Sequence, residues 1–193
     1  MNVQFISKRD KILREATKLI TKKGISDSPM SQIAKKAGVA VGTIYHYFKS
    51  KEEIINEIYV SIRKNVGDVI IESSKNKVDL KEAFKSVSLG IYNYYITNPI
   101  EYSFLKQLEH SPIITSENHA VCELYFSPIF GSYQKAIEAN LFINMDLMLM
   151  GMLTYNNIIT LVELRLKSGE LSAEIVDQAI EFSWRGITNQ KNI

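Results

Sequence analysis

The stretch "GVAVGTIYHYFKSKEEI", residues 38–54, decides how the N-terminal part of this chain folds. It begins with Gly38, which is suited to end a helix, and continues through small residues that can form a turn. The side chains of Val41, Ile44 and Phe48 then share one side of a helical wheel, and the polar side chains share the other. The pattern predicts a tight turn followed by a short amphipathic helix over about residues 41–48.

A second short helix is predicted directly before this turn. Ser28 is expected to cap the free amides at its start, and Pro29 suits the first helical position because its missing N–H is not needed there. Apolar residues recur at helical spacing through Met30–Ala37. Two short helices joined by a glycine-containing turn form a helix-turn-helix, whose second helix can enter the major groove of DNA.

The whole chain shows helical periodicity, and no segment alternates in the way that is typical of a strand. We therefore predict an all-α fold of about nine helices. Capping patterns predict helices that start at Ser7, Ser50 and Asp79. Pro128 is expected to break or kink the seventh helix.

Composition indicates an ordinary globular protein, with 193 residues, 46% hydrophobic and 23% charged. The single cysteine, Cys122, cannot form an internal disulfide, and the start of the chain lacks a signal-peptide pattern, so we expect a cytoplasmic protein. The most apolar stretch, residues 147–166, contains Asn156, Asn157, Glu163 and Arg165. We interpret it as a helix covered on more than one side, and we expect no membrane span.

Charge is distributed unevenly along the chain. Residues 1–51 hold 11 Lys+Arg and 3 Asp+Glu, a balance of +8, whereas residues 52–193 hold 12 and 18, a balance of −6. A basic head on an acidic body is typical of a protein that binds a polyanion such as nucleic acid.

The stretch "MSQIAKKAGVAVGTIYHYFKSKEEI", residues 30–54, resembles the signature of the TetR family of transcriptional regulators, and the resemblance is strongest over residues 8–55. It implies a homodimeric, ligand-responsive repressor that binds double-stranded operator DNA. It further implies a helix-turn-helix domain over residues 1–52, and an effector-binding and dimerisation domain over residues 53–193. The aromatic and methionine residues of that second domain suit a small hydrophobic effector as a further partner.

The resemblance also implies which residues meet DNA. They are Ser31, Gln32, Val41, Gly42, Thr43, Tyr45, His46, Tyr47 and Lys51, and the basic Lys49 beside them is predicted to contact DNA as well. Tyrosine and threonine hydroxyls and lysine amines suit contacts with phosphate. The predicted recognition helix carries no Arg, Asn or Gln, so the usual bidentate pairings with guanine or adenine are unavailable there. Ala40 stands where many family members carry a Ser or Thr cap, which weakens the helix by roughly 1 kcal/mol.

Two further sets of residues are predicted in the C-terminal part. The effector pocket is expected to include aromatic, methionine and a few polar side chains: Tyr92, Phe104, Gln107, His119, Phe126, Phe130, Met152, Tyr155 and Asn156. The dimer interface is expected on the last two helices, at Leu149, Met152, Ile159, Val162, Val176, Ile180 and Trp184.

Two alternatives stay open from the sequence. One is an activator, or a DNA-binding regulator that responds to no ligand. The other is a helical small-molecule-binding protein or enzyme whose basic head is incidental. Neither a nucleophile–base motif nor a nucleotide-binding fingerprint is visible, and the histidines lack metal-ligand spacing. We therefore expect no enzyme activity, no cofactor and no metal site.

Overall fold

The computed structural model describes residues 7–108 and 111–189, and within them the chain forms nine α-helices and no β-strand. This confirms the predicted all-α class. The helices are α1 (Lys8–Lys23), α2 (Met30–Ala37), α3 (Val41–Tyr47), α4 (Lys51–Ser74), α5 (Leu80–Thr97), α6 (Pro99–Gln107), α7 (Ser116–Glu138), α8 (Leu147–Ser168) and α9 (Ala173–Ile187).

Several helix starts follow from local capping, as the sequence predicts. The Ser7 hydroxyl accepts a hydrogen bond from the Asp10 amide at 3.1 Å, and the Asp79 carboxylate accepts one from the Glu82 amide at 2.7 Å. The prediction for Ser28 is wrong, because Pro29 takes the cap position of α2 without a side-chain bond. The Ser28 hydroxyl donates instead to the carbonyl of Gly24 at 2.7 Å, which closes the turn after α1.

Pro128 does not break α7, which continues from Ser116 to Glu138. Proline cannot donate to the carbonyl four residues earlier, here that of Leu124. The hydroxyl of Ser127 donates to that carbonyl at 2.8 Å. The carbonyl is therefore satisfied, and the helix passes the proline.

The chain divides into two compact units. Unit 1 comprises Met1–Arg63 with Ile100–Val121, and unit 2 comprises Lys64–Pro99 with Cys122–Ile193. These units are defined by how compactly their residues pack. The boundary expected after residue 52 separates a DNA-binding from an effector-binding domain, and it stays a prediction.

Unit 1 is built around α1, α2 and α3, with α1 packed on α2 and α2 packed on α3. Its core contains fully buried aliphatic side chains from all three helices and from the start of α4, namely Ile12, Ala16, Ile20, Ile33, Ile44, Ile54 and Ile55. The first part of α4, α6 and the start of α7 complete the unit.

In unit 2, α5 packs on α8 and α9, and α8 packs on α9. The end of α9 is tied to the connection between α7 and α8, because the amide of Ile143 donates to the carbonyl of Ile187 at 2.8 Å. The amide of Asn189 donates to the carbonyl of Leu141 at 2.9 Å. These bonds fix the C-terminal end of the described chain onto the unit.

Helix α8 is long and apolar enough, by length and composition, to cross a membrane. Of the 18 consecutive residues that are most apolar in this helix, only 28% are buried within the chain. Met148, Leu149, Met152 and Leu153 form an exposed apolar stripe along its first half. The expectation that α8 is covered on more than one side therefore needs something outside the protomer to cover this stripe.

Candidate nucleic-acid interface

The turn between α2 and α3 depends on Gly38. This residue has φ +67° and ψ +36°, the left-handed conformation that glycine adopts without the strain a side chain would add. The amide of Gly38 donates to the carbonyl of Lys35 at 3.2 Å. The amide of Val39 donates to the carbonyl of Ala34 at 3.0 Å. The turn thus ends α2 and redirects the chain into α3.

One side of α3 is anchored in the core of unit 1. Ile44 and Phe48 are buried, as the helical wheel predicts. The guanidinium of Arg9 lies over the Phe48 ring, 5.1 Å from its centroid, and also forms an ion pair with Glu57 on α4. Helix α3 is therefore held from α1 and α4 at once, and its opposite face is exposed.

The start of α3 has no side-chain cap, because Ala40 occupies that position. The amides of Thr43 and Ile44 both donate to the Ala40 carbonyl, at 2.9 and 3.3 Å. The helix therefore starts with backbone bonds alone, as the sequence departure from the family pattern predicts.

The predicted DNA-facing residues of α3 lie mostly on its outer face. Tyr45 is 53% exposed and Val41 is 46% exposed, and Gly42 and His46 are exposed too. Thr43 and Tyr47 are half-buried, and the rings of His46 and Tyr47 meet edge to face with centroids 5.3 Å apart.

On α2, Ser31 and Gln32 are exposed. The side-chain oxygen of Gln32 accepts a hydrogen bond from the Lys23 amine at 3.2 Å. This leaves the amide nitrogen of Gln32 and the remaining hydrogens of Lys23 as donors, so this pair offers donors to a nucleic acid.

The two predicted lysines differ in their surroundings. Lys49 is exposed, whereas the Lys51 amine donates to the carbonyl of Ile25 at 2.7 Å. Lys51 thereby holds the turn after α1 against the start of α4, and an ammonium group keeps two further hydrogens for phosphate. Ser50 caps α4 by accepting from the Glu53 amide at 3.2 Å, and the Glu53 carboxylate accepts from the Lys49 amide at 2.6 Å.

The residues predicted for an effector pocket fall in both compact units. Phe104, Gln107 and His119 belong to unit 1, where Phe104 is fully buried and Gln107 donates to the Thr21 carbonyl at 3.0 Å. The other six belong to unit 2: Tyr92, Phe126, Phe130, Met152, Tyr155 and Asn156. A surface cavity of about 640 Å³ lies in unit 1, and it is lined by none of these nine but by Lys23, Ser26, Asp27, Pro29 and Gln32.

Unit 2 contains an aromatic cluster around one of the predicted pocket residues. The hydroxyl of Tyr155 lies 2.7 Å from that of the fully buried Tyr95, and its ring meets Phe126 edge to face at 6.4 Å. Tyr133 is also buried, and burial raises the pKa of its phenol to about 12. The Tyr133 phenol is therefore a neutral donor and acceptor near neutral pH.

The predicted dimer residues divide between the surface and the interior of unit 2. Leu149 and Met152 are exposed, and Ile159 and Trp184 are half-buried. The remaining three, Val162, Val176 and Ile180, are buried against the chain's own helices. In this conformation only the first four offer surface to a second chain.

Asn56 on α4 is a buried polar residue that the sequence reasoning missed. In the sequence it lies among the apolar residues Ile54, Ile55 and Ile58. A polar residue within such a core-facing stripe could have indicated a buried hydrogen-bonded side chain. Within residues 7–108 and 111–189, no group of three or more His, Cys, Asp or Glu side chains could hold a metal ion.

Two sequence profiles match this chain. Residues 12–58 match "Bacterial regulatory proteins, tetR family", and residues 79–188 match "Tetracyclin repressor-like, C-terminal domain". An HTH-type transcriptional regulator of Haemophilus influenzae is 24% identical over 180 residues, which cover 92% of this chain and 94% of that protein. The fatty acid metabolism regulator protein of Bacillus subtilis is 39% identical over 97 residues, 47% of this chain and 50% of that protein.

Solved structures share the fold. A TetR family transcription regulator from Marinobacter aquaeolei has a TM-score of 0.89 at 21% identity, with 98% of this chain and all of that chain covered. A TetR-family transcriptional regulator from Haemophilus influenzae has a TM-score of 0.77 at 24% identity, with 94% and 97% covered.

Proposed function

Because this chain belongs to the tetR family of bacterial regulatory proteins and is a DNA-binding helix-turn-helix transcriptional regulator, we propose that it is a homodimeric repressor that a small hydrophobic effector releases from a palindromic operator. The family consists of transcriptional regulators and not of enzymes, which removes the enzyme alternative.

The outer face of α3 is the observation that carries the DNA-binding part of the proposal. Ile44 and Phe48 fix the helix from inside, and Tyr45, His46 and Gly42 are exposed on the opposite side. A short helix held in this way can insert its first turns into the major groove, while the surrounding lysines contact phosphates. Base recognition would then depend on apolar and hydroxyl contacts and on DNA shape.

The exposed apolar stripe of α8 supports a homodimer. A palindromic site requires two recognition helices related by a two-fold axis. Leu149 and Met152 expose about half of their surface, and Phe182 on α9 is 77% exposed. A second copy would cover this surface, which gives α8 a reason to be apolar in a protein that we assign to the cytoplasm.

The aromatic cluster of unit 2 supports a hydrophobic effector. Phe126, Tyr155 and Tyr95 combine apolar ring faces with two hydroxyl groups, a composition that suits an apolar molecule with one polar end. The name of the Bacillus subtilis relative refers to fatty acid metabolism, and fatty acids and other acyl compounds are therefore the first effectors to test.

A mobility-shift assay with the DNA upstream of the protein's own gene tests the proposal. We expect the wild-type dimer to bind one fragment, and Tyr45→Ala to weaken that binding by about 1–3 kcal/mol if the ring reads a base. Lys167→Ala, an exposed lysine on α8, is the matched surface control and should bind as wild type. If no fragment binds, the proposed function is wrong.

A reporter gene behind the bound fragment separates repression from activation. Deleting the gene that encodes this protein should raise reporter expression if the protein represses, and lower it if the protein activates. Acyl compounds added to the wild-type strain should raise output to the level of the deletion strain. Unchanged output with every compound would favour a regulator that responds to no ligand.

A further inference from the structure

The buried side chain of Asn56 joins α4 to the segment that leads into α7. Its amide nitrogen donates to the carbonyls of Glu52 and Ile113, both at 2.9 Å. Its oxygen accepts from the amide of Thr115 at 3.1 Å and from the side-chain amide of Asn118 at 2.8 Å. Both ends of the side chain are therefore fully used, with only 8% of the residue exposed.

These bonds cap α7 from another helix. The hydroxyl of Thr115 accepts from the Asn118 amide at 3.2 Å, as a cap residue does from the third residue of its helix. In a capping box that third residue would also accept the N–H of the cap residue. Here Asn56 on α4 accepts it instead, so the Thr115 N–H keeps this partner only while α4 lies beside the start of α7.

A second contact lies one turn further along α4. The hydroxyl of Tyr59 is 3.4 Å from Nδ1 of His119, with ring centroids 5.7 Å apart, and the guanidinium of Arg63 lies over the Tyr59 ring. Together these contacts fix α4 to the first turn of α7 inside unit 1.

Both helices continue from unit 1 into unit 2, α4 after Arg63 and α7 after Val121. A change in the direction of α7 must therefore either move α4 with it or break the buried bonds of Asn56. Breaking them would leave buried amides and carbonyls without partners. The free-energy cost of such unpaired buried groups is larger than the net free energy that each hydrogen bond contributes to stability.

We propose that Asn56 is a positioning residue that makes α4 and α7 move as one piece, and so sets the spacing of the two recognition helices in the dimer. This inference rests on the proposed function. Asn56 itself contacts no DNA in this role, so its loss changes how well both recognition helices fit one operator and leaves the fit of each single helix unchanged.

Binding of Asn56→Ala to the full palindrome and to a single half-site tests this role. We expect the affinity for the palindrome to fall about tenfold, a typical size for coupling between sites, with the half-site affinity and its salt dependence unchanged. Equal losses on both fragments would show a general folding defect, and no loss on either would show that Asn56 does not set the spacing. Both results overturn the proposal.

Asn118→Ala is the milder variant, because it removes one of the four bonds and keeps the other three. It should lower the palindrome affinity less than Asn56→Ala does, again without an effect on the half-site. If Asn56→Ala does not fold, the result for Asn118→Ala decides. Equal effects of Asn118→Ala on the affinities for the palindrome and for the half-site then overturn the proposal.

Hydrogen exchange of the free, full-length protein tests the same coupling without DNA. Asn56→Ala should speed amide exchange in residues 64–74 of α4 and in residues 122–130 of α7, beyond the bonds that it removes. Asn157→Ala is the matched control, because that amide joins α8 to the Ala179 carbonyl of α9 at 2.6 Å within unit 2. It should speed exchange in α8 and α9 only.

The two experiments separate failure of the inference from failure of the proposed function. If the wild-type protein binds no upstream fragment, the proposed function is wrong. The hydrogen-exchange experiment alone then tests whether α4 and α7 move together. A rise in exchange that is confined to residues 111–121 would then overturn the inference.

Discussion

The packing of α4 on α7 predicts opposite effects for one substitution at two glycines. An ideal Cβ built on Gly67 of α4 would lie 2.7 Å from the Cβ of Tyr125, 3.2 Å from its carbonyl oxygen and 3.4 Å from its Cα. These atoms belong to or adjoin the backbone of α7, so they cannot rotate away. A Cβ on Gly131 of α7 would meet nothing within 4 Å.

Both glycines lie inside α-helices, so alanine brings each the same gain of about 1 kcal/mol in helix propensity. Gly131→Ala should therefore raise the free energy of unfolding by about 1 kcal/mol. At Gly67 overpacking opposes this gain with a penalty of about 1–3 kcal/mol. The two variants should differ by that penalty, about 2 kcal/mol, which corresponds to roughly 4–8 °C in Tm for a chain of this size.

Thermal and urea unfolding at one fixed protomer concentration measure the difference, because association shifts apparent stability. Gly151→Ala should fall between the two, since its Cβ would meet a ring carbon of Phe130 at 2.7 Å and that side chain can rotate. If Gly67→Ala is as stable as Gly131→Ala, α4 and α7 do not approach as closely as the structure has them.

Three further outcomes follow from the same structure. Lys49→Ala should reduce the slope of log affinity against log salt by about 1, as measured by shift assays at several salt concentrations, whereas Lys167→Ala should leave the slope unchanged. Burial raises the pKa of Tyr133 from 10.0 to about 12, so the unfolded chain loses this proton at lower pH than the folded chain. The free energy of unfolding should therefore fall by up to about 3 kcal/mol between the two pKa values, and Tyr133→Phe should abolish that part of the fall in urea titrations at alkaline pH. Leu149→Glu should place like charges in the proposed two-fold interface and shift the protein to monomers in sedimentation, and a dimer of unchanged stability would place the interface elsewhere.

The sequence by itself determined the helices whose ends depend on near neighbours. Ser7 and Asp79 cap helices through bonds that span three residues, and Gly38 ends α2 through its own left-handed conformation. Such interactions involve residues only a few positions apart, so the pattern of the sequence reveals them. The helix-turn-helix and the buried side of α3 follow for the same reason, because Ile44 and Phe48 repeat at helical spacing.

Only the tertiary structure decided which groups meet over long distances along the chain. Lys51 donates to a carbonyl 26 residues away, and Asn56 contacts residues 57–62 positions later. In α8 apolar residues lie on nearly every side of the helix, so periodicity could not tell exposed Leu149 from buried Val162. Hydrogen-bond partners and burial of this kind depend on which helices pack together, and local sequence patterns carry no information about that packing.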